Sequence, residues 1–223
     1  MGRASEGLRA LAQGVSDLAY KMLDLVRLPP GAAEREVSAR LDEIRRIEEG
    51  NDAAFDEAAT MIMNLEVFPV NPDYYLETAR GLDRISDIIE RTSLLLEWRR
   101  GLGEEESELL VSAASQVRQL AEDMAAALAS LGEAPGAVEM RCQMVLDREK
   151  AVDLTRDHYY RISSKEGYDL GTRIWLGEVI GNLDVAADVG RDLTITLRVI
   201  SKKLDKQKKL DVKKGALSPA STR

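Results

Sequence analysis

Leu82-Asp83-Arg84-Ile85-Ser86-Asp87 returns 101 residues later as Leu183-Asp184-Val185-Ala186-Ala187-Asp188. The leucine and both aspartates are kept while the residues between them have changed. A second pair of stretches keeps the same offset. Glu48-Glu49-Gly50-Asn51-Asp52 matches Glu149-Lys150-Ala151-Val152-Asp153, and Asp56 and Asp157 extend the two by one turn. Self-similarity at a fixed offset marks a duplicated unit. Within each stretch the acids stand four apart, the spacing that places two side chains one above the other on a helix. The chain therefore reads as two copies of one helical unit, each with two acidic helix faces.

Outward from these stretches, the apolar residues follow a helical period. Leu8, Leu11, Val15, Leu18, Met22 and Leu25 recur at steps of three and four, predicting a first helix over about Ser5–Leu28. Pro29-Pro30-Gly31 stops it. A second helix runs over about Ala33–Leu65, ended by Pro69 and Pro72. Asn71-Pro72-Asp73 supplies a capping side chain, a proline for the first turn and an acid at the positive helix end, so a third helix starts there and runs to about Arg100. Gly101-Leu102-Gly103 divides the halves. Helices four, five and six are expected over about Glu104–Leu131, Ala137–Ile162 and Asp169–Lys203, broken by residues 132–136 and 163–167. The expected fold is all-α: six long helices in two pseudo-symmetric antiparallel three-helix bundles, spanning 5–100 and 104–203, followed by a basic, disordered tail over 204–223.

Composition agrees. Charged residues make up 31% and aromatic residues 4%, so strand-forming aromatics are scarce. The net charge of −8 is uneven: residues 202–223 hold eight Lys or Arg and two Asp, leaving 23 basic against 37 acidic residues in 1–201. An acidic body excludes nucleic acid as the main ligand, because phosphate binding needs a basic face. One cysteine, Cys142, allows no intrachain disulfide and points to a reducing compartment. The sequence offers no apolar run of spanning length and no secretory leader at Met1–Ala10, so a chain that is not membrane-spanning is expected.

The acids carry the chemistry. Two carboxylates at i and i+4 repel each other by a few tenths of a kcal/mol. A second such helix alongside makes a cluster of four, and a hard multivalent cation with oxygen ligands neutralises such a cluster most economically. At ~100° per residue, Glu48 and Asp52 fall on the edge of the stripe formed by Leu41, Ile44, Phe55, Ala59 and Ile62. Asp83 and Asp87 lie well off the stripe of Leu82, Ile85, Ile89 and Leu96, and the sixth helix behaves alike. The expected site is a groove on the outer surface of each bundle. Its ligands are Glu48, Asp52, Asp83 and Asp87 in one half and Glu149, Asp153, Asp184 and Asp188 in the other, with Asp56 and Asp157 as additional candidates. The plain alternative is that acidic i,i+4 pairs are common on solvated faces; four pairs in duplicate register are what sets these apart.

With those motifs in view, the sequence resembles the PhoU-related phosphate transport regulators, whose members carry an E/D-x-x-x-D motif on two helices of each three-helix repeat. Residues 68–73, Phe-Pro-Val-Asn-Pro-Asp, followed by 82–90 resemble the permease-associated branch known as domain of unknown function 47. The likeness covers about residues 8–203. It implies a PhoU-like fold, iron or other divalent metal ions on the bundle surfaces, and a cytoplasmic, non-enzymatic regulator acting on a membrane phosphate permease. It also leaves room for a homodimer. Gly50 and Asn51 depart from the pattern, since an acid or a small apolar residue is more usual there. Helix four offers Glu122-Asp123 with no clean counterpart in helix one.

Other residues narrow the alternatives. His158 is the only histidine, which removes ferritin-like di-iron oxidases, with their two Glu-x-x-His motifs, and leaves zinc hydrolysis poorly served. It reads as a surface residue, and Cys142 as buried packing. No nucleophile set or glycine-rich phosphate loop is evident. Gly177 and Gly181 suggest a close helix approach or a bend. Trp98 and Trp175 read as core or interface anchors, and the lysine-rich tail as a solvated segment or a contact for anionic lipid or an acidic loop. The rivals to a metal-binding regulator are a metal-free helical adaptor binding partner helices, and a carboxylate-metal hydrolase.

Overall fold

The computed structural model describes residues 2–29, 31–64, 70–98 and 101–216. Six helices run α1 (Gly2–Val26), α2 (Glu34–Met63), α3 (Pro72–Leu96), α4 (Glu104–Ala129), α5 (Pro135–Ser163) and α6 (Leu170–Ala216), with no strand among the described residues. The expected helix ends at Leu65 and Arg100, and the breakers Pro30 and Pro69, lie outside the described residues. Local chemistry sets the starts. Asn71 Oδ1 accepts the Asp73 amide at 3.0 Å with Pro72 at the first helical position, and Glu104, Glu105 and Glu106 sit at the positive end of α4.

Each repeat is a mutually packed triplet, α1–α2–α3 and α4–α5–α6, and the triplets meet through α1 against α4 and α3 against α6. Equivalent helices thus pair across the molecule, as a two-fold relation between the repeats requires. All six helices contribute to one continuous apolar core with α1, α3, α4 and α6 at its centre; among the described residues α2 packs only on α1 and α3, and α5 only on α4 and α6. The stripe read from α1 is fully inside: Leu8, Leu11, Val15, Leu18, Met22 and Leu25 are all buried. Burial of each such side chain contributes about 1.5–3 kcal/mol. The outer position of α2 and α5 matters for function. Each has one face free of the core, and the acidic stretches lie at its edge.

Several expectations are corrected. The sixth helix does not end at Lys203 but continues to Ala216. Leu204 is buried, Lys203 Nζ stands 4.6 Å from the Tyr74 ring centroid, and the exposed turns carry the i,i+4 pairs Asp205–Lys209 at 2.6 Å and Gln207–Asp211 at 3.1 Å. Such pairs support a solvated helix, which is why a lysine-rich stretch is helical here. Trp98 is 74% exposed and so is no core residue, whereas Trp175 is half-buried and its Nε1–H donates to Leu95 O at 2.8 Å. Gly177 permits a close approach, since a Cβ there would meet the Tyr159 hydroxyl at 2.6 Å, but Gly181 faces open space. Cys142 is buried as expected, and burial pushes its thiol up to about 11. His158 lies at the surface with its Nε2 3.3 Å from Glu105 Oε1.

Candidate metal centre

Helix α2 brings Glu48 and Asp52 to the edge of its buried face, and α3 presents Asp87 opposite. One carboxylate oxygen from each lies within 4.8 Å of the other two. Glu48 is half-buried, and Asp52 and Asp87 are exposed. Burial raises the Glu48 carboxyl to about 7, with further contributions from Asp52, Glu90 and Asp87 and from a hydrogen bond to Asp52. Asp83, one turn before Asp87, is raised by burial and by Asp87, Asp52 and Asp56. Six acids thus share one field, and among the described residues none of them has a lysine or arginine at ion-pair distance. Beneath this face, buried Asn51 donates from Nδ2 to Ser86 Oγ at 2.9 Å, tying α2 to α3 between the acids.

The equivalent face of α5 and α6 is built differently. Glu149 is almost fully buried, and its Oε1 accepts from Arg191 Nη1 at 2.6 Å. The same guanidinium also holds Asp188. Arg156 donates to Asp184 and reaches Asp153 at 2.9 Å and Asp157 at 3.8 Å. Hydrogen bonding to Asp184 raises the Arg156 pKa, and hydrogen bonding to Glu149 raises that of Arg191. Both cations are therefore fixed as charged. The expected ligands Glu149, Asp153, Asp184 and Asp188 do gather across two neighbouring helices, but around arginines.

No protein-family model matches the chain, and no curated protein matches it either. Solved structures do. A PhoU-like protein from Shewanella oneidensis MR-1 superposes with a TM-score of 0.66 at 13% identity, over 88% of this chain and 98% of that one. A second protein of the same organism, described as a PhoU-like phosphate regulatory protein, gives 0.54 at 14% identity over the same shares. The chain has the PhoU-like fold. The superposition takes in 98% of each neighbour, so the likeness is one of the fold nearly end to end.

The α2–α3 face fits a divalent cation. All its donors are carboxylate oxygens, the ligands hard cations take. Two oxygens on one ion at about 2.0–2.6 Å cannot be more than about 4–5 Å apart, and the observed spread meets that limit. Glu48, Asp52 and Asp87 would be the residues to hold it, with Asp83 one turn before Asp87. Sequence reasoning missed two groups. Arg156 and Arg191 stand three residues after Asp153 and Asp188, an i,i+3 relation open to inspection in the sequence. Asp123, buried on α4, is held by Arg141 at 2.7 Å and Arg148 at 3.8 Å, so the unmatched acid of helix four makes an internal ion pair.

The raised Glu48 carboxyl has a measurable sign. Folding raises its pKa from 4.5 to about 7, so between those values the folded chain binds the proton and the unfolded chain has lost it. Stability without metal falls as pH rises through that window, and the contribution is gone above about 7. Solvent screening at this half-buried site holds the effect to about 1 kcal/mol, or ~2–4 °C in a protein of this size. In chelator, the melting temperature of the wild type should drop further than that of Glu48→Gln between about pH 5 and pH 8. Equal drops would remove Glu48 from the titration.

Proposed function

We propose that this chain is a non-enzymatic accessory regulator of phosphate transport, of the permease-associated PhoU-related branch, whose state is set by iron or another divalent cation bound through Glu48, Asp52, Asp83 and Asp87. The observation that carries the reading is the convergence of Glu48, Asp52 and Asp87 without any cationic partner among the described residues. Uncompensated, those carboxylates push α2 and α3 apart; a bound cation would draw them together. Because α2 packs, among the described residues, only on its own repeat, such a change would reach the outer surface of that repeat, where a membrane phosphate permease could sense it from the cytoplasm. The description of one structural neighbour as a phosphate regulatory protein supports the choice of pathway. The non-enzymatic part is supported by His158 being engaged with Glu105 and by the Cys142 thiol being sealed in the core.

The metal-free adaptor reading draws on one other feature. Trp98, Leu170 and Ile174 are all more than three-fifths exposed, and Trp98 and Ile174 line a shallow cleft with Leu95 and Trp175. That surface suits a partner contact and is compatible with either reading.

Phosphate uptake tests the proposal. Cells lacking the chain should take up labelled phosphate at an altered rate, wild type should restore it, and Asp52→Asn with Asp87→Asn should behave as the deletion. Unchanged uptake on deletion, or full restoration by the double variant, would contradict it.

A further inference from the structure

The two acidic faces are equivalent in position and opposite in electrostatics. By the 101-residue offset, Arg156 corresponds to Phe55 and Arg191 to Glu90. Where the second repeat carries two cations, the first carries an aromatic ring and a further acid. The arginines are also placed as a cation would be. Arg191, from α6, joins Glu149 of α5 to Asp188, and Arg156, from α5, joins Asp184 of α6 to Asp153. Each helix therefore sends one guanidinium across to the other, and each guanidinium is anchored on its own helix by an acid three residues earlier. Four of the acids that matched the first repeat's ligands are thus taken.

We propose that Arg156 and Arg191 stand in place of a metal in the second repeat, so that this half is closed to cations and the protein binds metal through the first repeat alone. The inference rests on the metal-binding reading only for that first repeat. Guanidinium groups stay protonated throughout the accessible pH range and present several donors in a fixed fork. An entering dication would have to displace both and then face them as like charges at close range. Glu149 and Asp184 have side chains only 9% and 13% exposed, where an uncompensated carboxylate is costly, and the arginines offset part of that cost at any metal concentration. Metal status then governs α2 against α3, while α5 and α6 remain braced. The duplicated fold becomes one responsive half and one fixed half.

Mn²⁺ binding to the full chain, followed by calorimetry and by the electron paramagnetic resonance of the bound ion, tests this. Wild type should bind one set of ions, and Asp52→Asn with Asp87→Asn should abolish it. Arg156→Phe with Arg191→Glu, which installs the first repeat's residues, should gain a second set of similar stoichiometry; Arg156→Gln with Arg191→Gln, checked for unchanged helical circular dichroism, is the milder form. Metal that survives Asp52→Asn with Asp87→Asn but is lost in Asp184→Asn with Asp188→Asn would overturn the inference. So would folded arginine variants that bind no more than wild type. Wild type that binds nothing while the arginine variants gain ions would instead overturn the first-repeat reading and leave the closed second site standing.

Discussion

Gly14→Ala should destabilise the protein by about 2 kcal/mol, although alanine is the better helix former by about 1 kcal/mol. Gly14 lies on α1 against α2, and a Cβ there would sit 1.8 Å from Asn51 Oδ1 and 2.9 Å from Asn51 Cγ. Asn51 cannot yield cheaply. It is 4% exposed and gives its Nδ2–H to Ser86 Oγ, itself buried on α3 next to Asp87. Overpacking costs about 1–3 kcal/mol, and orphaning a buried polar group costs about 1–3 kcal/mol more, which together outweigh the helix gain. Urea denaturation reads the difference. The same substitution in an Asn51→Ala background should cost nothing or stabilise, since the obstructing amide is gone. A loss below about 0.5 kcal/mol in the otherwise wild-type chain would mean that the Gly14–Asn51–Ser86 contact does not hold the three helices together under the acidic face.

Much of this molecule was legible in its sequence. The breaks at 29–31, 101–103, 132–136 and 163–167 place the helices because glycine and proline act locally, whatever the tertiary setting. The Asn71 cap was readable for the same reason. The pairing of α2 with α3 and α5 with α6 follows from the duplicated acids, which need neighbours to make sense. Less legible was anything that depends on which side chain fills a shared space. Asn51 looks like a departure inside the motif until Gly14 and Ser86 are seen to receive it from two other helices. The lysine-rich stretch after Lys203 reads as disordered by composition, yet Leu204 is buried and each of its two acids stands four residues from a partner. Arg156 and Arg191 were visible as i,i+3 neighbours of Asp153 and Asp188, but that spacing makes an arginine and an aspartate neighbours on a helix without saying what else the arginine reaches. Only the packing of α5 on α6 shows each reaching across. Comparing residues 156 and 191 with 55 and 90 at the repeat offset is the sequence signal that would have separated the two halves.

The second large effect concerns the first acidic face directly. Asp52→Asn with Asp87→Asn removes two of the three converging charges and should weaken divalent cation binding by at least ~100-fold, since loss of a mere supporting partner already costs about 10–100-fold. In the absence of metal the sign reverses. The same variant relieves repulsion around Glu48 and should be at least as stable as wild type, because like charges one turn apart oppose folding by a few tenths of a kcal/mol per pair. The loss of cation binding is what separates a cation site from an ordinary solvated face, on which the same substitutions would relieve repulsion and leave cation binding unchanged.

Thermal unfolding of the full chain with and without Mn²⁺ therefore tests the central claim most directly. At about a hundred times its dissociation constant, a cation bound only to the folded state adds about 2.7 kcal/mol, or ~5–10 °C for a protein of this size. The expected result is a rise of that order in wild type and none in Asp52→Asn with Asp87→Asn. A wild type whose melting temperature is indifferent to the ion, or a variant that rises with it, would contradict the claim that Glu48, Asp52 and Asp87 form a metal site.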